Sequence, residues 1–236
     1  MVKLFLKFED YSSNIYKNAF KFGLKAASSV AAETFAETAT MEFLLGVRGR
    51  DFCLLLTDTT AARSITVMKS DQPKTAAMTS HAVLAFAGES GDTAAFVEFL
   101  QRNIRLYSIR NAHDLTPDGI ACFVRRHLAD SLRSRTPYQA NLVLAGVDTQ
   151  SGEAGLYWID YLAAKAKVDY AAQGYAQYFV LSLMDRYWRE GMSEEEVIKL
   201  AEMCVEEMKT RFIGRYTGWH AQIIDAKGIR TVEIAA

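Results

Sequence analysis

The sequence predicts an α+β domain in which two antiparallel sheets pack face to face and helices cover both outer faces. Three observations carry that prediction. Short apolar runs come in pairs joined by turn residues, as hairpins do. These pairs alternate with pairs of amphipathic segments, in the order strands, two helices, strands, two helices, strands. Half of the 236 residues are hydrophobic, enough apolar material to bury a sizeable core.

The elements follow in order. Residues 43–48 and 52–58 are short apolar runs flanking Gly49-Arg50, with Gly49 marking the turn. A strand over 81–87 ends in Gly88-Glu89-Ser90-Gly91-Asp92, where glycines break the strand and Ser90 or Asp92 caps a helix. Phe96, Phe99, Leu100, Ile104 and Tyr107 form that helix's buried stripe. Thr116-Pro117-Asp118 places a cap residue before a proline at the first helical position, and Ile120, Val124, Leu128 and Leu132 share one face of the second helix. Strands over 140–147 and 154–160 are joined by the turn residues 148–152. A helix over 174–189 carries Phe179, Leu183 and Tyr187 at helical spacing. Ser193-Glu194-Glu195-Glu196 makes a capping box ahead of Val197, Leu200, Cys204, Val205 and Met208. Strands over 220–224 and 229–234, with 225–228 between them, close the chain.

Residues 1–40 differ from the rest. Leu4, Phe8, Tyr11 and Ile15 stand at helical spacing, followed by a stretch rich in Ala, Ser, Thr and Glu up to Thr40. They are read as an N-terminal extension ahead of a domain over 41–236, with a first helix packed on the core as the alternative. Lys3, Lys7, Glu9 and Asp10 interrupt any apolar run of the kind a secretory signal needs, and the acidic residues there count against a transit peptide.

Composition narrows the function classes. Twenty-seven basic residues against twenty-eight acidic ones leave a formal charge of −1, which offers no bulk attraction for nucleic acid or an anionic membrane. No apolar run approaches the roughly 20 residues a membrane-spanning helix needs. Cys53, Cys122 and Cys204 are odd in number, far apart and set in apolar stretches, so they read as reduced core thiols in an intracellular protein. His81, His113, His127 and His220 show no metal-ligand spacing, and there is no glycine-rich phosphate loop. No cofactor or metal is expected. Arg125-Arg126, with Arg133 and Arg135 beyond, reads as a solvated or subunit-facing surface.

Five strings, in this order, carry a resemblance: MEFLLGVRG at 41–49, GESGD at 88–92, ADSLRSRTPYQANLVLAGVD at 129–148, YWIDYLAA at 157–164 and DRYW at 185–188. Over residues 41–235 the chain resembles eukaryotic proteasome β subunits. Within them it is similar to the group at the fourth ring position, called beta type-2 in vertebrate naming and beta type-4 in fungal naming. The resemblance implies the four-layer αββα sandwich of the N-terminal-nucleophile hydrolases. It also implies a place in the core particle, where four seven-membered rings stack, the α rings outside and the β rings inside. The partners implied are the third and fifth β subunits, the opposing β ring and the α ring, in the cytoplasm and nucleus. The process implied is ATP- and ubiquitin-dependent protein degradation.

Active members of the family need a threonine freed as the first residue by cleavage after a glycine, because its hydroxyl attacks while its own α-amino group takes the proton. Counting back from Asp58, which matches the family's active-site aspartate, the nucleophile position falls on Glu42, with Met41 where the glycine is needed. Lys74 matches the family's catalytic lysine, so Asp58 and Lys74 are remnants of a site without a nucleophile, expected to persist as a structural salt bridge. Gln173 stands for a serine, and Gly214 and Thr217 for an aspartate and a serine. The expectation is a non-catalytic structural subunit. The rival reading makes Thr40 the nucleophile, but a two-residue shift moves a strand residue about 7 Å. That is beyond the roughly 3 Å reach the chemistry needs.

Tyr107, Arg133, Arg135, Tyr138 and Trp188 are the exposed residue types expected at interfaces. For the extension, three fates stay open: a removable propeptide, a retained arm docking on a neighbour, or sequence upstream of a true start at Met41.

Overall fold

The computed structural model describes residues 41–63 and 66–234, and the readings placed on residues 1–40, Thr40 included, lie outside them. The first five-stranded sheet is built from β1 (Phe43–Arg48), β2 (Cys53–Asp58), β10 (Tyr170–Gly174), β11 (Trp219–Asp225) and β12 (Gly228–Val232). Its order is β10-β1-β2-β11-β12. The second is built from β5 (Thr75–Thr79), β6 (Ala82–Gly88), β7 (Ala140–Val147), β8 (Ala154–Ile159) and β9 (Lys165–Val168), paired in that order. Every strand pair is antiparallel. A separate ribbon joins β3 (Ala61–Arg63) to β4 (Thr66–Lys69).

Side-chain alternation sorts the residues of each strand into layers. In the first sheet Phe43, Leu45, Val47, Leu54 and Leu56 join one core with α3 (Ala176–Tyr187) and α4 (Glu194–Arg211). In the second sheet Leu84, Leu142, Leu144, Tyr157 and Ile159 join another with α1 (Ser90–Asn111) and α2 (Pro117–Ser131). Leu44, Cys53 and Leu55 meet Val83, Ala85, Val143, Ala145 and Leu156 in a third core between the sheets. The result is helices, sheet, sheet, helices, the layering predicted. A Cβ on Gly46 would stand 2.8 Å from Leu156 Cδ1 and 2.9 Å from Val143 Cγ1, so the two sheets approach closely at β1.

Several local expectations need correction. The cap of α1 is Glu89, not Ser90 or Asp92: its carboxylate accepts from the N–H groups of Gly91 at 2.6 Å and Asp92 at 3.1 Å. Asp92 instead accepts from the Gln139 N–H at 3.0 Å, tying the helix start to the segment entering β7. Phe99 is exposed, Tyr107 half-buried, and the stripe of α1 runs through Thr93, Phe96, Val97, Leu100 and Ile104. The predicted helix over 174–189 begins only at Ala176, because Gly174 ends β10. Its buried face is Ala176, Val180 and Met184, one residue round from Phe179, Leu183 and Tyr187, since β10 delivers the chain to the helix in that phase. β3, β4, β5, β9 and β10 were not predicted. Cys53 and Cys204 are buried as expected, but Cys122 is exposed on α2 and is no core thiol.

The caps of α2 and α4 agree with the sequence. Thr116 Oγ1 accepts from the Gly119 N–H at 3.2 Å with Pro117 opening α2. Glu196 accepts from the Ser193 N–H at 2.9 Å ahead of the buried Val197, Leu200, Cys204, Val205 and Met208.

Candidate functional site

The site lies where the end of β2 meets the start of β1, closed from the other sheet by the approach to β5 and the end of β6. Antiparallel register sets Leu44 opposite Thr57, which brings the N–H of Phe43 onto Asp58. Phe43 N–H donates to Asp58 Oδ1 at 2.9 Å, and Thr60 N–H donates to Oδ2 at 3.0 Å. Lys74 stands just ahead of β5, its carbonyl accepting from the Phe86 N–H of β6 at 3.0 Å. From there its Nζ reaches both Asp58 oxygens, at 3.0 and 2.9 Å, and the Thr60 carbonyl at 2.8 Å.

Asp58 is fully buried and Lys74 is 3 % exposed, so neither charge is hydrated and each is satisfied by protein. Burial raises the Asp58 carboxyl above its ordinary pKa, and the Lys74 ammonium and the N–H groups of Phe43 and Thr60 hold that rise back. The expected Asp58–Lys74 pair is therefore present in the structure.

Glu42, the residue before β1, completes the cluster. Its Oε1 lies 3.5 Å from Lys74 Nζ, and its Oε2 accepts from the Gly88 N–H at 2.8 Å. Gly88 has a φ of +140°, and a Cβ there would sit 2.1 Å from the Gln139 carbonyl oxygen, so only glycine fits the strand-to-helix corner that presents this N–H.

The other sequence-matched positions gather around the cluster without joining it. Thr217 donates through its N–H to Thr60 Oγ1 at 2.9 Å and sets its own hydroxyl 2.9 Å from the same oxygen, one residue from Asp58's shell. Gly214 faces Met41, whose Cε would be 3.0 Å from an added Cβ. Gln173 lies opposite Leu44 and turns between the sheets, where its Nε2 donates to the Ile159 carbonyl at 3.3 Å.

Thr60, Gly88 and Tyr216 belong to the site and were not read from the sequence. Tyr216 packs on Phe43 and Trp219 at ring-centroid distances of 6.2 and 5.2 Å, and burial, then the charges of Asp58 and Glu42, raise its phenol pKa. Only the family pattern would have signalled Gly88, and nothing in the sequence marks Thr60 or Tyr216.

The remaining candidates stay apart from this cluster. His81 bonds Ser80 and the Ala226 carbonyl, His113 bonds the Asp114 carbonyl, His127 lies against Phe99 and Phe123, and His220 pairs with Thr57 in the ladder. Arg126 pairs with Asp130 on α2, and Arg125, Arg133 and Arg135 are exposed. Of the expected interface residues, Tyr138 is half-buried against Phe96 and Trp188 donates to the Arg48 carbonyl at 3.0 Å, so both serve the fold. Among the described residues no group of three or more His, Cys, Asp or Glu could hold a metal ion, and no helix is long and apolar enough to cross a membrane.

Chemically, the cluster formed by the described residues holds a buried cation between two carboxylates, and the Thr60 hydroxyl at its edge is paired with Thr217. Comparison with known proteins places it in context. The family model described as proteasome subunit matches residues 39–224. The chain is 41 % identical over 194 residues to the probable proteasome subunit beta type-4 of Schizosaccharomyces pombe, covering 82 % of this chain and 100 % of that one. To the proteasome subunit beta type-4 of Saccharomyces cerevisiae it is 40 % identical over 193 residues, 82 % of this chain and 98 % of the relative. To the proteasome subunit beta type-2 of Oryza sativa subsp. japonica it is 42 % identical over 190 residues, 80 % and 89 % respectively. With a family model spanning most of its length and relatives matched almost end to end, the chain belongs to the proteasome subunit family.

Proposed function

We propose that this chain is a non-catalytic, structural β subunit of the proteasome core particle, with the N-terminal-nucleophile hydrolase fold and without its nucleophile. The observation that carries this is Glu42: beside the Asp58–Lys74 pair, where an attacking hydroxyl is needed, the chain places a carboxylate bonded to Lys74 and Gly88. A carboxylate paired in this way has neither the hydroxyl nor the free α-amino group that the threonine mechanism uses.

In this reading the subunit fills the fourth position of the β ring, between the third and fifth β subunits and against the opposing β ring and the α ring. It supports ATP- and ubiquitin-dependent degradation by catalytic neighbours, in the cytoplasm and nucleus. The names of the fungal and plant relatives, beta type-4 and beta type-2, support the assignment.

The test is the intact mass and N-terminal sequence of the chain recovered from its largest native complex, after treatment with a threonine-directed electrophile. The expected result is an unlabelled chain in a particle of many subunits. A terminus at Thr40 carrying the label would overturn the proposal and make the chain an active endopeptidase.

A further inference from the structure

We propose that Cys122 and Lys165 form an oxidant-dependent cross-linking site, at which a peroxide joins Cys122 Sγ to Lys165 Nζ through a sulfur–nitrogen bond and staples α2 to β9. The site is separate from the Asp58–Lys74 cluster and does not depend on whether the chain cleaves peptides.

Asp118 and Cys122 stand four residues apart on α2, which sets a carboxylate and a thiol on the same face of the helix. Lys165, the first residue of β9, reaches both: its Nζ donates to Asp118 Oδ1 at 2.9 Å and to Cys122 Sγ at 3.2 Å. The Cys122 thiol donates to Asp118 Oδ2 at 3.8 Å, so one carboxylate faces both groups that must give up a proton. The Lys165 ammonium also lies over the ring of the buried Tyr157, 5.5 Å from its centroid. With its side chain 21 % exposed, Lys165 is held against the sulfur. Cys122 is exposed, so a small oxidant reaches it, whereas Cys53 and Cys204 are buried. The nearest second reactant for an oxidised Cys122 is therefore built into the fold.

The steps balance with one peroxide. An electron pair of the Cys122 sulfur attacks one oxygen of hydrogen peroxide, an S–O bond forms and the O–O bond breaks. The second oxygen leaves as water with the thiol proton, and a sulfenic acid remains. The Lys165 ammonium passes a proton to Asp118, and the freed nitrogen pair attacks the sulfur. An S–N bond forms, the S–O bond breaks, and the hydroxyl leaves as water with a second proton from nitrogen. In sum the peroxide is reduced to two waters, the sulfur gives up two electrons, and one proton is released through Asp118. The bond closes a loop across a sequence separation of 43 residues and ties α2 to the edge of the second sheet, where β9 pairs with β8 alone. Closing such a loop restricts the unfolded chain, so the oxidised form is the more stable one.

The experiment treats the full chain with hydrogen peroxide as wild type, Cys122→Ser and Lys165→Arg, after circular dichroism has established that each is folded. Intact mass, tryptic peptide mapping and thermal midpoint are the readouts. The expected wild-type product has lost the mass of two hydrogen atoms, and the peptide containing Cys122 is joined to the one containing Lys165. Its midpoint is raised, and dithiothreitol reverses both changes. The arginine variant keeps the charge beside Asp118 but should give no joined peptides, only added oxygen at Cys122; the serine variant should give neither. Wild-type protein in which Cys122 gains oxygen or pairs with another cysteine, without joining Lys165, overturns the proposal. A joined pair of any other mass overturns the direct sulfur–nitrogen bond, and joined peptides in the arginine or serine variant overturn the assignment to these two residues.

Discussion

Lys74 Nζ donates to both oxygens of Asp58, at 3.0 and 2.9 Å, and both side chains are buried. Removing one partner leaves the other charged and buried, so Lys74→Met is expected to lower stability by about 3–5 kcal/mol. The double variant Asp58→Leu with Lys74→Met removes both charges and should cost clearly less than the two single changes added together. Urea denaturation of the four proteins measures this; additive costs would show that the pair is not coupled.

The three cysteines should separate by reactivity. Burial pushes the Cys53 thiol up to about 12 and the Cys204 thiol up to about 12, which leaves almost no thiolate near neutral pH. Cys122 is exposed on α2. Iodoacetamide at pH 8, followed by peptide mass mapping, is expected to modify Cys122 alone in the native protein and all three after unfolding. Native labelling of Cys53 at the rate of Cys122 would contradict the burial described.

The start of α4 should respond to acid. The Ser193 N–H, and then its hydroxyl, hold the Glu196 carboxyl below its ordinary pKa. Because the folded value lies below the unfolded one, the cap's contribution is complete above the unfolded pKa, near 4.3, and is lost as pH falls through the folded value. Amide exchange in the first turn of α4 should rise over that window in wild type and be flat in Glu196→Gln. A wild-type turn with the same protection at both ends of the window would disprove the coupling.

The closeness of the two sheets is also measurable. Gly46→Ala drives a methyl group against Leu156 and Val143, and overpacking of this kind costs about 1–3 kcal/mol. Chemical denaturation reads the loss directly. A cost within the error of the measurement would mean that the inner layer yields freely.

The sequence made the strongly apolar parts legible. β1, β2, β7 and β8 are continuous or alternating apolar runs, and α4 announces itself with a capping box and a clean stripe. β5 and β9 were hidden because TAAMT and KAKV are composed largely of residues with weak strand preference, made into strands by pairing with β6 and β8. α3 was misphased because Phe179 and Leu183 are only partly buried beside it, while the small Ala176 takes the innermost place. Asp58 and Lys74 were legible through the family pattern. The bond from Gly88 to Glu42 spans 46 residues and depends on the two sheets meeting at that corner, which no local pattern reports.

The layer between the sheets is dominated by Ala85, Ala87, Ala145, Ala154, Ala171 and other apolar residues, whose contacts have no preferred direction. Such a layer resists separation but does little against sliding. Lys74 and Gly88 belong to one leaf, Asp58 and Glu42 to the other, so their hydrogen bonds fasten the leaves at one end, as a rivet fixes two plates. Gln173 adds a second fastening through the Ile159 carbonyl. The cluster thereby has a mechanical duty: it fixes where the α1–α2 face stands relative to the α3–α4 face, and so the shape that this subunit presents to whatever packs against it.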